Sequence, residues 1–424
     1  MSGTRGKLKV YLLIAIAVVV SCVYGAVNVT NLLNEKYDKK NLELITQQTA
    51  ENEGFCLTEF IEEYSLSFNS IAQLYKDACV SIKVVSQGSS WLGSGVCVAS
   101  KGFVTNDGEE LESGSYIITN HHVIQNYFDY EITEVYVYPN EYNSLERYGG
   151  YEIVYDADVL WADSYLDVGI IYTKQNIDWV YMKDRFISPN QDDVVAYTER
   201  GFVIGTPQSL SYQNTITKGY FYSDLSYSYT VNTALFEDVM SNIYEDLIPM
   251  KISIMGGNSG GGLFDSDGYL IGIPTLGSSR SQASDAINYA VPIYSIKLIL
   301  DYVIIQHENE KEIEICSIDD LNFSTIDSKE SDIMNSQFKS RSLYFYGRTY
   351  LKKDLSNFNE NGLKVIYSDE ELIEKEDVIL SVIMDEKTTI IEDRNDLIYF
   401  LLQTKKGSAV GFEIKDSDII EIVI

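Results

Sequence analysis

From about Val80 to about residue 300, apolar residues fall in short runs punctuated by Gly, Asn and Asp. Val80-Ser81-Ile82-Lys83-Val84-Val85 largely alternates, whereas Ile117-Ile118 and Val168-Gly169-Ile170-Ile171 are almost wholly apolar. Runs this short, bounded by turn residues, read as strands rather than helices. No strand–helix–strand rhythm intervenes, so the pattern predicts a mainly β chain built on a pair of β-barrels, not a parallel sheet. Just ahead, Phe68 to Tyr75 has an apolar i, i+3, i+4 face behind capping residues, a short helix feeding the first strand.

The flanks read differently. Arg5, Lys7 and Lys9 precede an uncharged, mainly apolar stretch from Val10 to Val27, close to the lower length that crosses a bilayer. The expectation is a cytoplasmic tail (1–9), a membrane anchor (10–27) and a polar stalk (28–67), with the rest of the chain outside the cytoplasm. A cleaved signal peptide, or a lipoprotein signal ending at Cys22, is the rival reading. The β-rich domain is expected to span 68–305, with polar surface stretches at Asn106–Gly114 and Ser223–Glu245. Residues 306–337 are acidic and poor in aromatics, as in a linker. In the last part, 338–424, strand Val378–Ile383, an amphipathic helix near Asp393–Lys405 and strand Ala409–Ile414 predict a small α+β domain.

Composition narrows the function. The net charge of −31 excludes nucleic acid as an expected partner, because phosphate binding needs basic patches. Cysteines at 22, 56, 79, 97 and 316 show no C-x-x-C spacing, so no metal or redox site is expected. Cys79 and Cys97 read as small buried hydrophobes, with a bridge between them left open. No cofactor is called for.

The candidate chemistry centres on Met255-Gly256-Gly257-Asn258-Ser259-Gly260-Gly261-Gly262-Leu263. Glycine buries nothing and costs backbone entropy. A serine in such a run suits a sharp turn that aims N–H groups at one spot, an oxyanion hole beside a nucleophile. The run also matches G-x-S-x-G, the α/β-hydrolase elbow, but the order of partners decides against it. Of the three histidines, His121 and His122 follow an apolar strand, Asp167 opens a second one, and Ser259 comes last. His–Asp–Ser is the chymotrypsin order. His307 lies in an acidic run, a poor setting for a base. As strand neighbours, His121 and His122 should face opposite ways, so neither a shared role nor a two-histidine metal clamp is expected.

Five motifs in sequence carry a resemblance: Gly93-Ser94-Gly95-Val96, Thr119-Asn120-His121-His122-Val123, Asp167-Val168-Gly169-Ile170-Ile171, Gly205-Thr206-Pro207 and Gly257-Asn258-Ser259-Gly260-Gly261. Over roughly 70–300 the chain resembles the HtrA (DegP-like) branch of trypsin-like serine proteases. The resemblance implies a chymotrypsin-like double β-barrel followed by a PDZ-like domain, unfolded polypeptides as substrates, and a homotrimer or a multiple of trimers. It makes His122 rather than His121 the base, Asp167 its orienting partner, Ser259 the nucleophile, and the N–H groups of Gly257 and Ser259 the oxyanion hole. Ser253, Ile254, Met255 and Ile273 would line the S1 pocket, and with no carboxylate there cleavage should follow small or medium aliphatic residues. Gly256 and Gly262 stand where the family has Pro, so a loosely held oxyanion turn is expected. A catalytically silent peptide-binding module is the alternative function. In the C-terminal part, Glu376 replaces the glycine of the family's Gly-Asp-Val-Ile, and Ser342–Gly347 is the expected carboxylate-binding loop.

Overall fold

The computed structural model describes residues 39–41, 56–58, 66–86, 89–124, 134–140, 153–163, 166–182, 200–221, 226–232, 239–276, 287–317, 320–326, 342–345, 348–351, 358, 361–370, 372–417 and 419–424. The expected anchor at 10–27 and Cys22 lie outside them. Among the described residues no helix is long and apolar enough to cross a membrane.

Helix α1 (Phe68–Leu74) begins where Ser67 accepts a hydrogen bond from the Ser70 N–H, so the cap is Ser67. Six strands follow: β1 (Cys79–Ser86), β2 (Ser89–Ala99), β3 (Ser115–Thr119), β4 (Glu134–Tyr138), β5 (Tyr155–Asp163) and β6 (Val168–Thr173). They close into a barrel in the order β1-β2-β3-β6-β5-β4. Alternation drives the closure: Ile82 and Val84 of β1 enter the barrel core with Ile117, Val135 and Ile171, while Lys83 and Val85 face outward. A second set comprises β7 (Arg200–Gly205), β8 (Thr215–Phe221), β9 (Ser226–Asn232), β10 (Val239–Lys251), β11 (Gly262–Asp265), β12 (Leu270–Leu276) and β13 (Asn288–Pro292). Its order is β13-β12-β11-β7-β8-β10-β9, and an additional β13–β10 pairing closes the ring. Two barrels stand where the hydropathy pattern placed them. Within the stretch 223–245, the described residues supply β9 and the start of β10, which pair antiparallel.

A core of Tyr75, Phe202 and Phe264 joins α1 to the second barrel, with the Phe202 and Phe264 rings stacked at 5.0 Å. Cys79, Cys97 and Cys316 are free thiols, and all three are buried, as is Cys56. Cys79 packs in the inter-barrel core and Cys97 inside the first barrel, on opposite faces of the β1–β2 pair, which is why no bridge joins them.

Helix α2 is the single turn His121–Ile124, and α3 spans Tyr294–Glu308. The stretch read as a linker, 306–337, therefore starts inside α3. Its described part also buries Cys316, Leu321 and Phe323 and supplies strand β14 (Phe323–Ile326), because those apolar residues cover a further sheet. That sheet runs β14, β17 (Leu363–Ser368), β18 (Val378–Met384), β20 (Ala409–Ile414) and β21 (Ile419–Val423), with β19 (Lys387–Ile390) paired to β18. Helix α4 (Arg394–Leu401) buries Leu397, Ile398 and Leu401. Strands β15 (Ser342–Phe345) and β16 (Arg348–Leu351) form a separate two-stranded sheet, so the described part of the segment expected to hold a carboxylate-binding loop pairs with β16 and not with the C-terminal sheet.

Candidate active site

The site forms where β3 ends and β6 begins. Thr119 pairs with Gly169, and since the strands are antiparallel, the residues just after Thr119 meet the residue just before Val168. His121 and His122 are thus not on a strand as expected but on the helical turn α2, which opens at the Asn120 carbonyl. Asp167 has φ of 53°, a left-handed conformation uncommon for a side chain with a Cβ. Two contacts hold it there: the Asn120 side-chain amide donates to the Asp167 carbonyl (2.8 Å), and the preceding turn is tied by Leu166 N–H to Asp163 Oδ1 (2.9 Å). Strain of this kind collects at functional sites.

The Asp167 carboxylate is 1% exposed and surrounded by donors. His122 Nδ1 lies 2.9 Å from both Oδ1 and Oδ2, and the His122 backbone N–H donates to Oδ1 at 3.0 Å. The Thr275 hydroxyl donates to Oδ2 from β12 of the other barrel. Such a buried carboxylate is tolerable only because its acceptors are filled. Burial pulls the His122 imidazole down, but the Asp167 charge and the hydrogen bond to it outweigh burial and leave its pKa raised above the ordinary histidine value. His121, half-buried on the same turn, is not the histidine that meets Asp167.

Ser259 is brought to the same place from the second barrel. The Ser94 N–H donates to the Ser259 carbonyl (2.9 Å), and Ser94 Oγ donates to the Gly257 carbonyl (2.7 Å). Gly260, at φ 81°, approaches β3 so closely that a Cβ there would lie 2.2 Å from Thr119 Oγ1 and 3.0 Å from the Asn120 nitrogen. Glycine is required on both counts. The Ser259 hydroxyl makes no hydrogen bond among the described residues, as is common where such bonds tighten only on a bound substrate.

The turn presenting Gly257 is better held than its glycines suggest. The Asn258 N–H donates to the Met255 carbonyl (2.9 Å) with Gly257 at φ 97°, a closed β-turn with a left-handed third residue. The Gln208 N–H holds the Gly256 carbonyl (2.8 Å), so in the trans peptide the Gly257 N–H points the opposite way. Among the described residues neither the Gly257 nor the Ser259 N–H is engaged. The loosely held turn expected from Gly256 is replaced by one fixed at both ends. Gly262 also has a steric reason: a Cβ there would lie 2.3 Å from the Phe264 ring.

The four expected S1 residues do not pack into one cluster. Ser253 is exposed and Met255 is 49% exposed, while Ile254 and Ile273 pack into separate core clusters. Burial alternates along 251–255, so Ile254 turns into the core while Ser253 and Met255 stay exposed, and Ile273 is buried on β12. The sequence reading missed Thr275 as a ligand of Asp167, Asn120 as its backbone clamp, and Ser94 and Gln208 as supports of the oxyanion turn. Motif membership was the available signal for Asn120 and Ser94; none marked Gln208.

Residues 93–273 match the sequence profile of the trypsin-like peptidase domain. A probable periplasmic serine endoprotease, DegP-like, of Brucella suis is 26% identical over 194 residues, covering 46% of this chain and 32% of that protein. The chloroplastic Protease Do-like 1 of Arabidopsis thaliana is 28% identical over 193 residues, covering 45% of this chain and 37% of that protein. The matched part thus spans about a third of these relatives' length. Among solved structures, the HtrA-type protease AlgW with a tripeptide is similar in fold, with a TM-score of 0.51 at 18% identity, covering 84% of this chain and 95% of that one.

Proposed function

We propose, on the premise that the chain is an HtrA-like trypsin-fold protein, that it is a serine endopeptidase acting on unfolded polypeptides. The observation that carries this is the His122 imidazole bonded through Nδ1 to buried Asp167, in the cleft where the glycine turn sets Ser259. With Nδ1 engaged, Nε2 is the nitrogen left to take the Ser259 proton as its oxygen attacks the scissile carbonyl. Asp167 holds that tautomer and stabilises the imidazolium, which then protonates the departing amine. The Gly257 and Ser259 N–H groups receive the oxyanion, and losing one such donor costs about 10²–10³ in rate. No step calls for a metal or cofactor.

The finer features of this reading are also proposals. Cleavage following small or medium aliphatic residues is part of the reading, because none of Ser253, Ile254, Met255 and Ile273 carries a carboxylate to pair a basic side chain. The C-terminal sheet with α4 serves as a PDZ-like domain, supported by the order β18, α4, β20. An anchor at 10–27 and a trimeric assembly complete the reading, and the periplasmic name of the Brucella suis relative favours action outside the cytoplasm. A silent peptide-binding module finds no support in relatives named as endoproteases. The test is digestion of reduced, denatured casein followed by product sequencing. Wild type should yield cuts after Val, Ile, Ala, Leu or Met that Ser259→Ala abolishes, and a majority of cuts after Lys or Arg would remove the specificity.

A further inference from the structure

Beside the Gly256–Gly257 turn lies a cleft of about 690 Å³, walled on one side by Lys83 and Ser90-Trp91-Leu92 and on the other by Gln208 to Ser211. Its position relative to the reacting bond follows from two contacts. The Trp91 indole N–H donates to the Val123 carbonyl (2.6 Å), so this wall is fastened to the turn that carries His122. The histidine protonates the leaving amine, so the cleft beside it holds the part of the substrate C-terminal to the cleaved bond. The strand Gly272–Thr275, across from the position of the residue before that bond, contributes nothing to it.

The charge of this cleft runs against the rest of the molecule. The chain carries −31, yet Lys83 is the one charged residue among the lining residues. Its direction is set by strand alternation: Ser81, two residues earlier on β1, meets Thr206 of the second barrel at 2.6 Å, so Lys83 lies on the face turned toward that barrel. On the neighbouring strand, Tyr136 pairs with Lys83, and the nearby Glu134 carboxylate accepts the Tyr136 hydroxyl at 2.5 Å. Trp91, Leu92 and Leu210 supply apolar walls for the stem of an incoming side chain.

We infer that this cleft is a carboxylate-selecting subsite: Lys83 pairs with an acidic side chain, or with the chain-terminal carboxylate, a short way C-terminal to the cleaved bond. The inference rests on the endopeptidase reading and adds substrate class to it. A lysine–carboxylate pair at a partly screened site favours acidic over basic substrates by about five- to tenfold. Peptides sharing an aliphatic residue before the cleaved bond would carry Asp, Asn or Lys at the second or third position after it. A parallel pair would end there as a free acid or an amide. The full chain should show kcat/KM in the order Asp, Asn, Lys; Lys83→Met should flatten that ratio and Lys83→Glu should invert it. Acid preference over amide in the second pair, without preference in the first, would assign the subsite to chain ends. Binding of the same peptides to the Ser259→Ala chain, by fluorescence anisotropy, separates the two claims. Charge preference in binding without turnover by wild type keeps the subsite and removes the endopeptidase. Turnover or binding with charge ratios unchanged by Lys83→Glu overturns the subsite.

Discussion

At the scale of single residues, Asp167 is where most of the site's constraints meet. Its carboxylate takes His122 Nδ1, the His122 N–H and the Thr275 hydroxyl, and its carbonyl takes Asn120. Asp167→Asn should leave the fold intact and lower kcat by about 10⁴, because the amide turns its N–H toward Nδ1 and selects the wrong tautomer. Circular dichroism beside peptide turnover checks both halves. The raised His122 pKa fixes a pH dependence whose sign is definite. Turnover needs the neutral imidazole, so kcat/KM should rise with pH through an apparent pKa above the ordinary 6.5, and the Asp167→Asn variant, if its residual rate is measurable, should titrate lower. Stability runs the other way. A raised folded pKa means the contribution is fully present below the unfolded value and is lost as pH rises through the folded one. At Gly262, the Phe264 ring occupies the space a side chain would need, so Gly262→Ala should destabilise by about 1–3 kcal/mol, read from a denaturant midpoint.

At the scale of elements, two positions show the backbone keeping a shape its sequence does not favour. Glu376, where the resemblance expects a glycine, holds φ of 84°, and Lys364 pairs with its carboxylate at 2.8 Å. Left-handed geometry costs a residue with a Cβ about 1–2 kcal/mol. The exposed ion pair returns less than that. Glu376→Gly should therefore stabilise the C-terminal sheet by up to about 1 kcal/mol, visible as a later chemical-denaturation transition. The legibility of the chain follows the same logic. Strands β1, β3, β6, β18 and β20 were readable because alternation or continuous burial leaves a mark in sequence. The helical turn at His121–His122 was not, since four residues carry no period and its start is fixed by contacts to Asp167. Strand β14 was masked by acidic neighbours, and the closed oxyanion turn depends on Gln208, a residue distant in sequence. Ile254 and Ile273 were assigned by position in a resemblance, and only packing decides which face each presents.

At the scale of the whole molecule, each barrel supplies an incomplete half of the proposed site. The first holds His122 and Asp167; the second holds Ser259, Gly257 and Thr275, with Ser94 bridging them. Helix α3 then returns to the first barrel, where Tyr116 donates to Glu308 Oε1 (2.7 Å) and meets His307 Nδ1 (2.8 Å). The third histidine thus has a structural place, in the packing of α3 against the first barrel. The central claim is that the two halves make an activated nucleophile. The most direct measurement is labelling by a fluorophosphonate probe, located by peptide mapping, in wild type and in His122→Ala and His121→Ala. The account predicts label on Ser259 in wild type, near-complete loss in His122→Ala and retention of most label in His121→Ala. An unlabelled wild type with intact fold, or dependence on His121 in place of His122, would contradict it.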